Sequence, residues 1–272
     1  MVTNDDGIDS VGLHVLARAM ESIDSVDEVF VVAPDSEYSG ASAAVGALHL
    51  LRPEVHRSSI SGFSGKVHTL SGPPALCVLF TRLGLFGPLP DLVVAGINPG
   101  ANVGRSVYHS GTVGAALTAR SGGITGIAVS QSVPGEVDGQ GADGQLGMQL
   151  WESAAEVAVR VVEHVIARPP AQAGVLNVNV PNLAVDAMQQ WRWTEVGRVP
   201  SRTMVSADLE ARLGHEGSFR VVTTFGDAVS LPEGDDGGAV ERGHVSLTWL
   251  ARLDRERTLE FDLATMSRIA SS

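Results

Sequence analysis

Cysteine is almost absent from this 272-residue chain. Cys77 stands alone, which excludes an internal disulfide and any multi-cysteine metal cluster. Lysine is as scarce, with Lys66 the single one, so nearly all the basic charge is arginine. Positive charge is in deficit altogether: 19 Lys and Arg against 31 Asp and Glu give a formal net charge of −12. That balance disfavours binding to a nucleic-acid polymer through its phosphates. A small phosphorylated ligand stays open, because a cation or a helix N-terminus supplies local positive potential. Long apolar runs are missing too. Each is broken by Gly, Pro or charge well short of the roughly 20 residues a membrane span needs. Asp5 and Asp6 fall where a basic n-region of a signal peptide would stand. A cytoplasmic protein without a membrane partner is expected.

Hydrophobic residues make up 44% of the chain, enough for a sizeable core. The first half alternates short apolar runs with helical patterns, the mark of βαβ units and a parallel sheet. In SVGLHVLARAMESI (10–23), Leu13, Leu16, Met20 and Ile23 fall three and four apart on one helical face. EVFVVAP (28–34), DLVVAGIN (91–98) and GITGIAVS (123–130) are apolar on both faces, as central strands are. SGTVGAALTAR (110–120) reads as a small-residue helix with Ser110 and Thr112 as capping candidates, and 148–168 as a long helix. PGEVDGQGADGQ (134–145) reads as a loop and GVLNVNVP (174–181) as a strand. After Pro181 the chain holds scattered short strands, such as 219–225 and 244–250, among loops rich in Gly, Asp and Arg. The fold class expected is α/β: a Rossmann-like three-layer core over about 1–181 with a mostly parallel sheet, and a C-terminal antiparallel extension or arm over about 182–272, within a single domain.

Open parallel sheets bind ligands at the carboxyl ends of their strands, where strand order reverses. That rule selects Asn4-Asp5-Asp6-Gly7, Ser39-Gly40-Ala41-Ser42, Gly96 to Gly100 around Asn98, and the helix start Ser110-Gly111-Thr112. Asp5, Asp6, Ser39 and Asn98 are all oxygen donors, a set that suits one hard cation such as Mg²⁺ or Mn²⁺ rather than zinc. A cation there polarises a phosphoryl group and activates water, and a helix starting at Ser110 offers its N–H groups to the same phosphate. Asn4 and Gly40, flanking the carboxylates and Ser39, are expected at the substrate. Taken singly, each has a plainer role: Asp5-Asp6 as a turn and cap pair, Ser39 as a turn serine, Asn98 as a turn former before Pro-Gly.

Other motifs fail on particular residues. GFSGKVH (62–68) has Ile60 where a phosphate loop needs glycine, and Val67 where it needs Ser or Thr. A receiver domain lacks its late lysine, since none follows Lys66. No His-Glu-x-x-His pair is present. Tyr108-His109-Ser110-Gly111 lacks the first glycine of a nucleophile elbow, so His109 reads as a rim residue.

In order along the chain, NDDG (4–7), VVAPDSEYSGAS (31–42), PDLVVAGINPGANVG (90–104), YHSGTVGAA (108–116), GIAVS (126–130) and LNVNVP (176–181) closely resemble the SurE family of 5'/3'-nucleotidases. The likeness continues more weakly through GDDGGAVERGHVSLT (234–248). The resemblance implies a divalent-metal phosphatase acting on nucleoside monophosphates, with one cation per subunit held by Asp5, Asp6, Ser39 and Asn98. It implies phosphate contacts from Asn102, Ser110, Gly111 and Thr112, with Asp5 or Asp6 orienting the attacking water. It also implies a homodimer or homotetramer with exchanged C-terminal arms. The chain departs from the family pattern at several places: only Met1-Val2-Thr3 precede Asn4-Asp5-Asp6, Ala43, Ala44 and Gly46 replace polar residues, and Leu76 stands for a carboxylate. Thr118 stands for a glutamate and His244 for a tyrosine. These departures leave a nucleotide- or metal-binding module with weak or no turnover as the alternative.

Overall fold

The computed structural model describes residues 1–47, 52–133, 146–200, 202–212, 214–215 and 217–250. The loop expected over 134–145 lies outside them. Among the described residues, eleven strands and five α-helices follow in the order β1 (Val2–Thr3), α1 (Val11–Glu21), β2 (Val31–Pro34), β3 (Val55–Ser58), β4 (Val67–Leu70), α2 (Pro74–Arg82), β5 (Leu92–Pro99), α3 (Gly111–Ser121), β6 (Thr125–Gln131), α4 (Trp151–Ala167), β7 (Val175–Val180), β8 (Gln189–Trp193), β9 (Met204–Ala211), β10 (Phe219–Phe225), α5 (Asp236–Glu241) and β11 (His244–Leu250).

Nine strands form one sheet in the order β3-β4-β2-β1-β5-β6-β7-β11-β8. Strands β4, β2, β1, β5, β6 and β7 run parallel; β3 is an antiparallel edge. The β-branched runs place Val31, Val32, Val93, Ile127, Val129 and Val178 wholly inside, as a sheet covered on both faces requires. One face packs on α1 and α4 through Leu13, Leu16, Met20, Val157 and Val161. The other packs on α2 and α3 through Leu76, Val78, Ala115 and Ala119. Each buried leucine contributes on the order of 2 kcal/mol. The stripe expected on 10–23 is therefore the inner face of α1, whose start is capped by Ser10 Oγ accepting the Leu13 N–H at 3.2 Å.

The tail divides. Strands β9 and β10 pair antiparallel as a ribbon separate from the sheet, which is the expected arm. Strands β8 and β11, from the same stretch, join the main sheet instead, with β11 antiparallel to β7. Left at the edge, β7 would present a row of unpaired backbone N–H and C=O groups, which pairing with β11 over Val175–Asn179 satisfies. Among the described residues no helix is long and apolar enough to cross a membrane.

The chain leaves β1 for β2 on one side and later returns to β5 on the other, so strand order reverses between β1 and β5. A ligand crevice is expected there, at the carboxyl ends.

Candidate metal and phosphate site

Short connections bring the oxygen-bearing residues to that crevice. The Tyr38 N–H donates to the Asp5 carbonyl at 2.7 Å, which lays the loop after β2 against the end of β1. The Ser42 N–H donates to His109 O at 3.0 Å, and an added Cβ at Gly114 would lie 2.0 Å from Ser42 O, so only glycine lets α3 approach this loop. Asp5, Ser39, Gly40, Asn98, Asn102 and Ser110 line one cavity of about 1040 Å³ between the sheet edge and the base of the arm. Each piece selected by the strand-end rule thus contributes at least one residue to the cavity, while Asp6 itself is not among the lining residues.

Asp5 is buried, 2% exposed. Its Oδ1 accepts the Thr112 hydroxyl, and Gly111 presses so close that a Cβ there would lie 2.7 Å from Asp5 Oδ2. Burial raises the Asp5 pKa above the ordinary carboxylate value, opposed by the Thr112 hydroxyl and reinforced by Glu37. Asp6 is half-buried rather than solvent-facing, and its Oδ2 is buried without a partner. Burial, then the charges of Asp5 and Glu37, push its pKa up to about 8. Among the described residues no ion pair involves either aspartate. Two adjacent carboxylates, one buried and the other half-buried with an unpartnered buried oxygen, form an arrangement that a dication stabilises and a proton otherwise must.

Asn98 Nδ2 donates to Gly100 O at 2.6 Å and Pro99 O at 3.3 Å, leaving Oδ1 available to a cation. Ser39 is exposed, its N–H donating to Glu37 Oε1 at 2.7 Å. The donor set thus fits a hard divalent ion. No cluster of three His, Cys, Asp or Glu able to hold a metal occurs among the described residues, so a cation here would draw on the serine and asparagine oxygens as well.

The residues expected at the phosphate separate into two groups. Asn102 is held at the cavity by a buried network: its N–H donates to Asn179 Oδ1 at 2.7 Å, its Nδ2 to Ser130 Oγ at 2.8 Å, and its carbonyl accepts from Asn177 Nδ2 at 2.8 Å. Ser110 caps α3 by accepting the Val113 N–H at 3.0 Å while lining the cavity. Thr112 and Gly111 do not line it; they hold Asp5. Asn4 is not among the residues that line the cavity, and its Oδ1 is buried without a partner. It is fully buried, and its Nδ2 donates to Gly7 O at 2.9 Å and Ser10 Oγ at 3.1 Å, bracing the turn into α1. Reading the sequence missed Glu37, Asn177 and Asn179. The alternation Asn-Val-Asn-Val on β7 was the available signal, since residues two apart share a face.

The departures are mostly remote from the cavity. Leu76 is fully buried in the α2 core, and Thr118 Oγ1 donates to Gly114 O at 2.8 Å within α3. His244 Nδ1 pairs with Gln190 O at 2.7 Å.

A family model described as survival protein SurE matches residues 1–203. The crystal structure of the SurE protein from Aquifex aeolicus superposes with a TM-score of 0.71 at 30% sequence identity, over 99% of this chain and 97% of that one. With three quarters of its length under one family model and nearly all of it shared with a solved relative, this chain belongs to the SurE family.

Proposed function

We propose that the protein is a divalent-metal-dependent phosphomonoesterase, a 5'/3'-nucleotidase that hydrolyses nucleoside monophosphates, with one Mg²⁺ or Mn²⁺ per subunit. One observation carries this reading: Asp5, buried at the strand-order reversal, and the adjacent half-buried Asp6, whose Oδ2 is buried without a partner, lie at a cavity lined by Asp5, Ser39, Asn98 and the capped start of α3. Asp5, Asp6, Ser39 Oγ and Asn98 Oδ1 are the atoms that would hold the ion. Bound there, the ion supplies Lewis acidity toward the phosphoryl group and the attacking water.

The remaining tasks fall to the chain. Thr112 fixes the Asp5 carboxylate in orientation. Asp6, with a free carboxylate oxygen, orients the attacking water and takes its proton. Asn102 and Ser110 bind the phosphate at the cavity floor, and the positive end of α3 opposes the charge that develops on its oxygens. The cavity is large enough for a nucleoside beyond the phosphate.

The arm supports the assembly expected above. Residues Val205, Leu209, Phe219 and Val221 of the β9–β10 ribbon are all more than half exposed, an apolar surface of the kind a second copy covers. A homodimer or homotetramer exchanging arms is therefore part of the proposal. So is a small-molecule substrate rather than a nucleic-acid polymer, given the net charge of −12.

The test is phosphate release from a panel of 5' and 3' nucleoside monophosphates with Mn²⁺ and with chelator. Release that chelator abolishes is the expected result. Metal and nucleotide binding by calorimetry without release would favour the binding module instead, a reading motivated by the apolar Ala43 and Ala44 beside Ser42.

A further inference from the structure

Asp236, at the start of α5, is fully buried and yet lies at the wall of the same cavity. Its two oxygens accept the Gly104 N–H at 3.1 and 3.0 Å. Oδ1 also accepts the Gly197 N–H at 3.0 Å and the Gly237 N–H at 2.8 Å. The Asp236 N–H in turn donates to Glu195 O at 2.8 Å, and Glu195 bridges Asp235 in a short parallel contact.

Two of the segments so joined have different duties. Gly104 follows Asn102 by two residues and opens the turn that leads to Ser110, so it belongs to the phosphate end of the cavity. Gly197 precedes the arm; Val199, just after it, and Met204 and Phe225 of the arm line the same cavity. The junction is close-packed. Gly104 has φ +53°, and a Cβ there would lie 3.2 Å from Gly197 O; one on Gly197 would lie 3.2 Å from Asp236 Oδ1. Without the carboxylate, the buried N–H groups of Gly104 and Gly197 would lose their acceptor, and the two segments would have no reason to stay at this separation.

We propose that Asp236 is a positioning residue that fixes the distance between the phosphate end of the cavity and its arm-side wall, and so sets how well the nucleoside portion of the substrate is held. It touches neither phosphate nor cation. This rests on the phosphatase reading above.

The test compares wild type with Asp236→Asn, an isostere that keeps one acceptor and places an NH₂ against the backbone donors. With saturating Mn²⁺, kcat/KM for 5'-AMP is expected to fall about tenfold more than kcat/KM for p-nitrophenyl phosphate, chiefly through KM. Hydrogen–deuterium exchange is expected to speed up in the peptides containing Gly104 and Gly197. Equal losses on both substrates, or unchanged exchange at those peptides, would overturn the proposal. A wild type that hydrolyses neither substrate would sink the phosphatase reading, and the exchange result would then decide the role of Asp236 by itself. If Asp236→Asn does not fold, Gly104→Ala disturbs the same junction without removing the carboxylate; the same substrate bias and faster exchange are expected from it, and their absence counts against the proposal.

Discussion

The hydroxyl of Thr112 donates to Oδ1 of Asp5, joining the first turn of α3 to the end of β1 across 107 residues of sequence. Both residues are buried. The bond orients one carboxylate of the pair and opposes the rise in pKa that burial imposes on it. In Thr112→Val the carboxylate loses its charge-assisted donor, at a cost of about 1.5–3 kcal/mol in stability. Chemical denaturation with Mn²⁺ present checks the loss. Nucleotidase kcat should fall together with Mn²⁺ affinity, and an unchanged metal titration would show that Thr112 does not orient Asp5.

Gly111 is the steric counterpart. An alanine Cβ there would lie 2.7 Å from both Cβ and Oδ2 of Asp5, a separation that side chains do not tolerate. Gly111→Ala therefore displaces the carboxylate or the helix start, costing about 1–3 kcal/mol by overpacking and about 100-fold in kcat by misplacement. Steady-state kinetics with thermal melting separate the two effects. Gly40→Ala is the contrast: Gly40 sits at φ +82° with nothing near its Cβ position, so about 1 kcal/mol of backbone strain is the expected cost.

Asp6 gives the metal-free protein a defined pH dependence. Its folded pKa stands at about 8 against an ordinary 3.8, so between those values the folded state keeps a proton that the unfolded state has released. The stability contributed is fully present below about pH 4 and is lost as pH rises through about 8, an effect on the order of several kcal/mol. Melting temperatures in chelator should fall across that window. Asp6→Asn should reduce the slope, leaving the part that the raised pKa of Asp5 contributes, keep the fold and abolish most activity, and Mn²⁺ should stabilise the wild type at pH 8. A slope undiminished in Asp6→Asn would assign the effect to a group other than Asp6.

The exposed apolar face of the ribbon predicts a partner. Leu209 and Val221 face each other across β9 and β10 and are 67% and 62% exposed. Leu209→Glu with Val221→Glu should shift the mass measured by sedimentation toward monomer while leaving the core fold intact. An unchanged mass would mean that the ribbon face is not the subunit contact.

Much of this architecture was legible because burial and periodicity coincide in it. The stripe on α1 and the β-branched runs of β2, β5 and β6 gave the layers, and strand ends then gave Asp5, Ser39 and Asn98 at the cavity. Helix α2 was not legible: Ala75, Leu76, Cys77 and Val78 are consecutive and all buried, so no amphipathic period marks them. Strands β3 and β9 are exposed throughout, so neither shows the alternation of a half-buried strand. The duties of Thr112 and Asp236 depend on partners 107 and 132 residues away, which no local pattern encodes.

The most direct measurement is an anomalous-difference map from crystals grown with Mn²⁺. A single peak enclosed by oxygens of Asp5, Asp6, Ser39 and Asn98 is predicted. A map from active protein with no peak among those residues, or with the ion held by other side chains, would contradict it.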